Sequence, residues 1–145
     1  MIYKIENEYL SAEINDYGCE LHSIRSKKSS TEYLWQGDPS IWSGRSPILF
    51  PIIGRLLDDK FNYKGKDYSL PKHGFARSSY FELVNIDEDS ADFLLKYNES
   101  TLQCYPFKFD LNIHFKLTDN YIVVSHTVIN KSEDELYFSI GAHPG

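Results

Sequence analysis

Two histidines in this chain stand in frames of glycine and proline that would hold an imidazole still. His143 lies in Gly141-Ala142-His143-Pro144-Gly145, and His73 in Lys72-His73-Gly74-Phe75-Ala76-Arg77, directly after Pro71. Pro144 drives the residue before it into an extended conformation. An imidazole fixed at a sheet edge or in a cleft can move protons near neutral pH. The chain has only five histidines, so two framed ones suggest an enzyme. The plain alternative at each is a turn histidine satisfied by backbone.

Three arginines widen the choice. Arg55 closes the run Pro51-Ile52-Ile53-Gly54 and precedes Asp58-Asp59-Lys60. It either reaches a polar cleft with its forked donors or pairs with Asp58 or Asp59. Arg45 and Arg77 could bind an anion or simply be solvated. His114 and His126 fall inside regular strands, where a solvated or structural role is expected, and His22 has no supporting motif. No His-x-His or His-x-x-x-His spacing is present, so no metal site is expected. There is no Gly-x-Ser-x-Gly elbow, no phosphate loop and no dinucleotide fingerprint, which leaves nucleophilic catalysis and nucleotide binding unsupported.

The elements that must position these groups read as strands. Leu10, Ala12 and Ile14 alternate with polar residues up to an Asp16-Tyr17-Gly18 turn, and a second alternation runs from Cys19 to Ser26. Phe61–Tyr63 and Asp67–Leu70 flank Lys64-Gly65-Lys66 as a hairpin, and Tyr80–Ile86 and Ala91–Tyr97 flank an acidic turn. Phe107 to Leu117 places six apolar residues on one face and five polar ones on the other. It is expected to pair with Tyr121–Ile129 across Thr118-Asp119-Asn120, with Tyr121, Val123, Ser125, Thr127 and Ile129 as the counterpart face. A last strand is expected over Glu135–Ile140, leading into the His143 frame. No sustained helical period occurs. The reading is an all-β fold of large antiparallel sheets, a β-sandwich, as one domain over residues 1–145. The stretch from Trp35 to Leu57 is the one long non-strand region. It holds both tryptophans, and loops of this kind concentrate binding sites.

Composition narrows the classes. Aromatic residues make up 15% of the chain, which suits half-buried strands and also surfaces on which sugar rings stack. The net charge of −6 argues against nucleic acid or an anionic membrane as partner. No apolar run approaches the roughly 20 residues of a membrane span, and no basic-then-apolar signal opens the chain. Cys19 and Cys104 are too few for a disulfide scaffold and are read as reduced thiols of a cytoplasmic protein.

Taken together, Trp42 with Pro47-Ile48-Leu49-Phe50-Pro51-Ile52-Ile53-Gly54-Arg55, then His73 to Arg77, then Gly141 to Gly145 resemble the galactose mutarotase-like (aldose 1-epimerase) family. The motifs occur in the family's order, and the strand pattern between them also fits, so the resemblance covers essentially the whole chain. The second and third motifs look most like a bacterial subgroup of uncertain substrate. The resemblance implies a galactose mutarotase-like supersandwich with an open carbohydrate cleft and no cofactor. It also implies exchange of the α and β anomers of a hexose by acid/base ring opening and closure. By position, His143 matches the family's general acid at the ring oxygen and His73 its second histidine. Arg55 matches the sugar-binding arginine, and Trp42 and Arg77 belong to the substrate-binding motifs.

The family's general base is a glutamate far into the C-terminal half, and none of these acidic residues stands in its place. The chain is therefore expected to be the N-terminal part of a longer sandwich, with open sheet edges that favour self-association. Two other functions stay open. One is a sugar-binding module without turnover. The other is a mutarotase for hexose 6-phosphates, with Arg45 and Arg77 holding the phosphate.

Overall fold

The computed structural model describes residues 1–145 throughout. Strands β1 (Ile2–Glu6), β2 (Leu10–Asn15) and β3 (Glu20–Ser26) form an antiparallel three-stranded sheet in that order. Strand β4 (Ile48–Leu49) follows the long irregular stretch, and β5 (Lys60–Tyr63) and β6 (Lys66–Ser69) make a separate hairpin. Its turn has positive φ at both Lys64 and Gly65, as a two-residue turn matched to strand twist requires. Strands β7 (Glu82–Ile86), β8 (Ser90–Lys96), β9 (Phe109–Thr118) and β10 (Tyr121–Asn130) build the largest sheet, in the order β10-β9-β8-β7.

The core lies between the three- and four-stranded sheets. Ile5, Ala12 and Ile14 from one pack with Phe93, Phe109, Leu111, Ile113 and Phe115 from the other, all essentially inaccessible. Tyr3 meets Phe93 edge-on, with ring centroids 5.5 Å apart. The strict alternation of β9 is realised as expected, with every odd-numbered residue buried. Fully burying each such side chain contributes about 1.5–3 kcal/mol, so this one strand face is a main support of the sheet.

Three expectations are corrected. The β9–β10 turn is Asp119-Asn120, two residues rather than three, so Tyr121 pairs with Thr118 and odd residues face even ones across the ladder. Residues directly opposite share a face. Ile122, Val124, His126 and Val128 therefore join the core side, and Tyr121, Val123, Ser125, Thr127 and Ile129 point outward. Residues Glu135–Ile140 form no strand. They are held by separate anchors instead: the Tyr105 hydroxyl donates to the Tyr137 carbonyl at 2.8 Å, and the Ser139 N–H to that of Pro51 at 2.8 Å. Only Gly141–Ala142 is a strand there, β11, antiparallel to β4. A short helix α1 (Glu99–Cys104) was not legible, being too brief to show a period; reciprocal Asn98 and Thr101 capping bonds hold its start.

Candidate active site

The His73 loop is fastened to the segment that follows β4. The Phe50 carbonyl accepts from the Phe75 and Ala76 N–H groups at 3.0 and 3.2 Å, and Gly74 runs against Phe50 as a parallel bridge. The contact is so close that a Cβ on Gly74 would lie 2.2 Å from the Phe50 oxygen. Only glycine fits.

His73 itself sits in the left-handed region at φ 68°, a conformation that costs a non-glycine residue about 1–3 kcal/mol. Two bonds to one residue hold it there. The His73 N–H donates to the Gly54 carbonyl at 2.8 Å, and the Gly54 N–H donates to His73 Nδ1 at 3.0 Å. An imidazole whose Nδ1 accepts a hydrogen bond carries its proton on Nε2. Burial lowers the His73 pKa, and the charges of Lys72 and Arg77 and the neighbouring His143 push the same way. His73 is thus a neutral ring presenting an Nε2–H donor.

His143 follows directly from β11, whose Gly141 and Ala142 pair with Leu49 and Ile48. Its ring is exposed and makes no hydrogen bond to protein. It stands edge-on to Trp42, with centroids 5.1 Å apart, and 6.4 Å from the ring of His73. The fold thus brings together His73, His143 and Trp42 at the β4–β11 ladder, although 70 residues of sequence separate the two histidines.

The arginines are placed differently. Arg55 forms a two-pronged bridge to Asp59, with Nε and Nη2 at 2.7 and 2.6 Å from its carboxylate oxygens. Bonding to Arg55 lowers the Asp59 pKa, and the guanidinium is raised in turn. Of the two alternatives read from sequence, pairing with a nearby carboxylate is the one realised, and no hydrogen bond joins Arg55 to either histidine. Arg77 lies exposed in a 3₁₀ turn, Ala76–Ser78, without an ion pair, close enough to His73 to depress its proton affinity. Arg45 is a structural joint. Its Nη1 donates to the His22 carbonyl at 2.7 Å and to Gln36 at 3.3 Å, and it forms no ion pair.

His114 and His126 play no part in this cluster. His114 pairs with Asp92 at 2.7 Å on the outer face of β9, and His126 lies under β10 with its Nε2 buried and unpartnered. The sizeable aromatic cleft of about 560 Å³, lined by residues such as Leu56, Tyr63, Phe107 and Tyr137, includes neither His73 nor His143. Sequence reasoning missed Gly54 as the group that fixes the His73 tautomer and Trp35 as a support of Trp42. Gly54 stood in the motif that ends at Arg55 but nothing there pointed to His73, and Trp35 lay inside the aromatic loop already singled out.

The full chain, residues 1–145, matches the aldose 1-epimerase family. This chain belongs to that family. It is 37% identical to the chromosomal Protein LacX of Lactococcus lactis subsp. lactis, over 99% of this chain and 50% of that protein. A galactose mutarotase related enzyme from Lactobacillus acidophilus is 44% identical and superposes with a TM-score of 0.98, over 99% of this chain and 48% of that one. A galactose mutarotase-like protein from Lactobacillus casei ATCC 334 is 35% identical, with a TM-score of 0.96 over 99% and 49% of the two chains. The chain therefore spans about half the length of these relatives. The fold is the galactose mutarotase-like β-sandwich, and no helix in it is long and apolar enough to cross a membrane.

Proposed function

We propose that these residues carry the acid side of an aldose 1-epimerase that interconverts the α and β anomers of a hexose. The observation that supports this best is the His73–His143 pair, with rings 6.4 Å apart. One of the two is fixed as a neutral donor by Gly54. In this reading His143 protonates the ring oxygen as a base takes the C1 hydroxyl proton. The C1–O5 bond breaks, the aldehyde turns about C1–C2, and the ring closes on the other face. His73 donates Nε2–H to a sugar oxygen, which orients the substrate and polarises it without a change of protonation state. Trp42 walls the site, and Arg77 and Arg55 contact substrate hydroxyls, Arg55 once it leaves Asp59 or shares it.

The base is a glutamate outside these 145 residues, which form the N-terminal part of the sandwich. The relatives are about twice as long as the matched stretch, which is compatible with a base supplied from elsewhere in a longer protein. The free thiols of Cys19 and Cys104 favour a cytoplasmic setting. β10 and β7, the outer strands of their sheet, are edges through which self-association would run.

A phosphorylated hexose is the second reading. Lys72 and Arg77 are exposed beside His73 with no carboxylate partner, in a chain of net charge −6. Arg45 has only its Nη1 engaged and keeps Nε and Nη2 as donors for a phosphate. Polarimetry on freshly dissolved α-glucose, α-galactose and glucose 6-phosphate tests both readings. Acceleration of a free hexose supports the first, and acceleration of the phosphate alone supports the second. Binding without acceleration of any of them by the full-length protein would leave a carbohydrate-binding module and end the enzymatic reading.

A further inference from the structure

We propose that Glu20, at the start of β3, is a positioning residue for His143 although it does not touch it. The inference rests on the reading of His143 as the acid of the site. Glu20 is largely buried, with its side chain 18% exposed, and its Oε1 accepts from two successive backbone N–H groups, Arg45 at 2.8 Å and Ser46 at 2.9 Å. Bonds to an ionised acceptor are roughly twice as strong as neutral ones. They pin the loop at the point where it meets the His143 segment.

From there the chain of contacts is continuous. The Arg45 carbonyl accepts from the Gly145 N–H at 2.8 Å, and the Gly145 carbonyl from the Trp35 N–H at 3.2 Å. Trp35 Nε1–H donates to the Trp42 carbonyl at 2.8 Å. Gly145 fills a slot between the two tryptophans, where a Cβ would lie 2.6 Å from the Trp42 ring and 2.9 Å from the Trp35 Cβ. Trp42 then meets the His143 ring. Because His143 makes no hydrogen bond of its own, its ring is oriented only by β11 behind it and by this clamp in front. Removing the Glu20 carboxylate would orphan two N–H groups and loosen the clamp while β11 stays paired. A general acid displaced by about 1 Å loses on the order of 10²-fold in rate, far from any change in its own chemistry.

The test uses tryptophan emission as a reporter, since a protonated imidazole quenches an indole in contact with it. In the full-length wild-type protein, emission should fall in a step on acidification, and His143→Asn should abolish that step. Glu20→Ala should shrink the step and lower kcat ~10–100-fold with KM nearly unchanged, while unfolding remains cooperative at pH 7. Glu20→Gln keeps an acceptor oxygen and should recover most of both readouts. A full-sized step in folded Glu20→Ala, or a wild-type protein with no His143-dependent step, overturns the proposal. If Glu20→Ala does not fold, Glu20→Gln and Gly145→Ala decide: an unchanged step in both overturns it, and a reduced step in Gly145→Ala supports it. Absence of mutarotation in the wild type would defeat the functional reading alone, because the emission step is measured without substrate.

Discussion

Gly74→Ala should be far more damaging than its size suggests, and the reason is local. Gly74 has φ +71°, and a Cβ there would lie 2.2 Å from the Phe50 oxygen, 2.5 Å from its carbonyl carbon and 2.7 Å from Pro51 Cδ. All three are main-chain or ring atoms, so no side chain can swing away. To open the nearest contact to 3.0 Å the two segments must part by roughly 0.8 Å. Left-handed strain alone costs about 1–2 kcal/mol, and overpacking of this kind adds about 1–3 kcal/mol. The expected loss is therefore about 2–5 kcal/mol. Gly65→Ala is the matched control, because φ is +79° but nothing lies within 4 Å of its Cβ. It should cost only the strain. Urea unfolding of both variants measures the difference as a shift in midpoint at constant slope. Parting the segments also pulls Gly54 from His73 Nδ1, so turnover in Gly74→Ala should fall at pH 7 even where the protein remains folded. Equal stability of the two variants would refute the argument, since it would mean that the His73 loop is not seated on Phe50.

Other outcomes follow from the same geometry. His143→Ala should lower kcat ~10²–10⁴-fold, the usual weight of one general acid, and His114→Ala, paired with Asp92 on the outer face, should leave it unchanged; steady-state kinetics of the two decides. Asp59→Asn should release Arg55 from its bridge at little cost in stability, because the pair is exposed. If Arg55 contacts sugar, KM should fall in that variant and rise in Arg55→Ala. His126→Leu removes a buried, unpartnered ring nitrogen and should stabilise the fold by about 1–3 kcal/mol. Burial lowers the His126 pKa below its ordinary 6.5, so the unfolded chain takes up that proton first. Its contribution is complete above 6.5 and lost as pH falls through the lower folded value. Chemical denaturation at pH 7 and pH 5 should thus show a smaller acid loss in His126→Leu, with His22 and His73, also lowered, keeping their share.

How far the sequence carried this reading depended on the range of the forces involved. Period-two alternation is a local property, and β9 was legible residue by residue because one face is packed and the other is not. The face of β10 was misassigned by a single turn residue: adding one residue to a hairpin loop reverses which side every following residue takes. The segment 135–140 read as a strand from its apolar residues, but no neighbour offers it a ladder, and only tertiary contacts could reveal that. The same division runs through the site. His73 and His143 stood out because glycine and proline mark unusual backbone, and backbone constraint is written next to the residue it constrains.

What makes the two histidines a site is written elsewhere in the chain. Gly54 sets the tautomer of His73 from 19 residues away, and Glu20 reaches the Arg45 amide across 25. Glu20 sits in no marked frame, and Gly54, though inside the motif that ends at Arg55, carries no mark of its partner. A backbone N–H aimed at a ring nitrogen has no sequence signature, because every non-proline residue carries one. The pairing of a fixed neutral donor with an unbonded, clamped imidazole is therefore a property of the fold. In the proposed reaction it is the property that would let His143 transfer a proton while His73 only donates a hydrogen bond. Loss of either constraint should affect rate more than folding, because the strands behind the site are held by the β9 core face and not by the histidines.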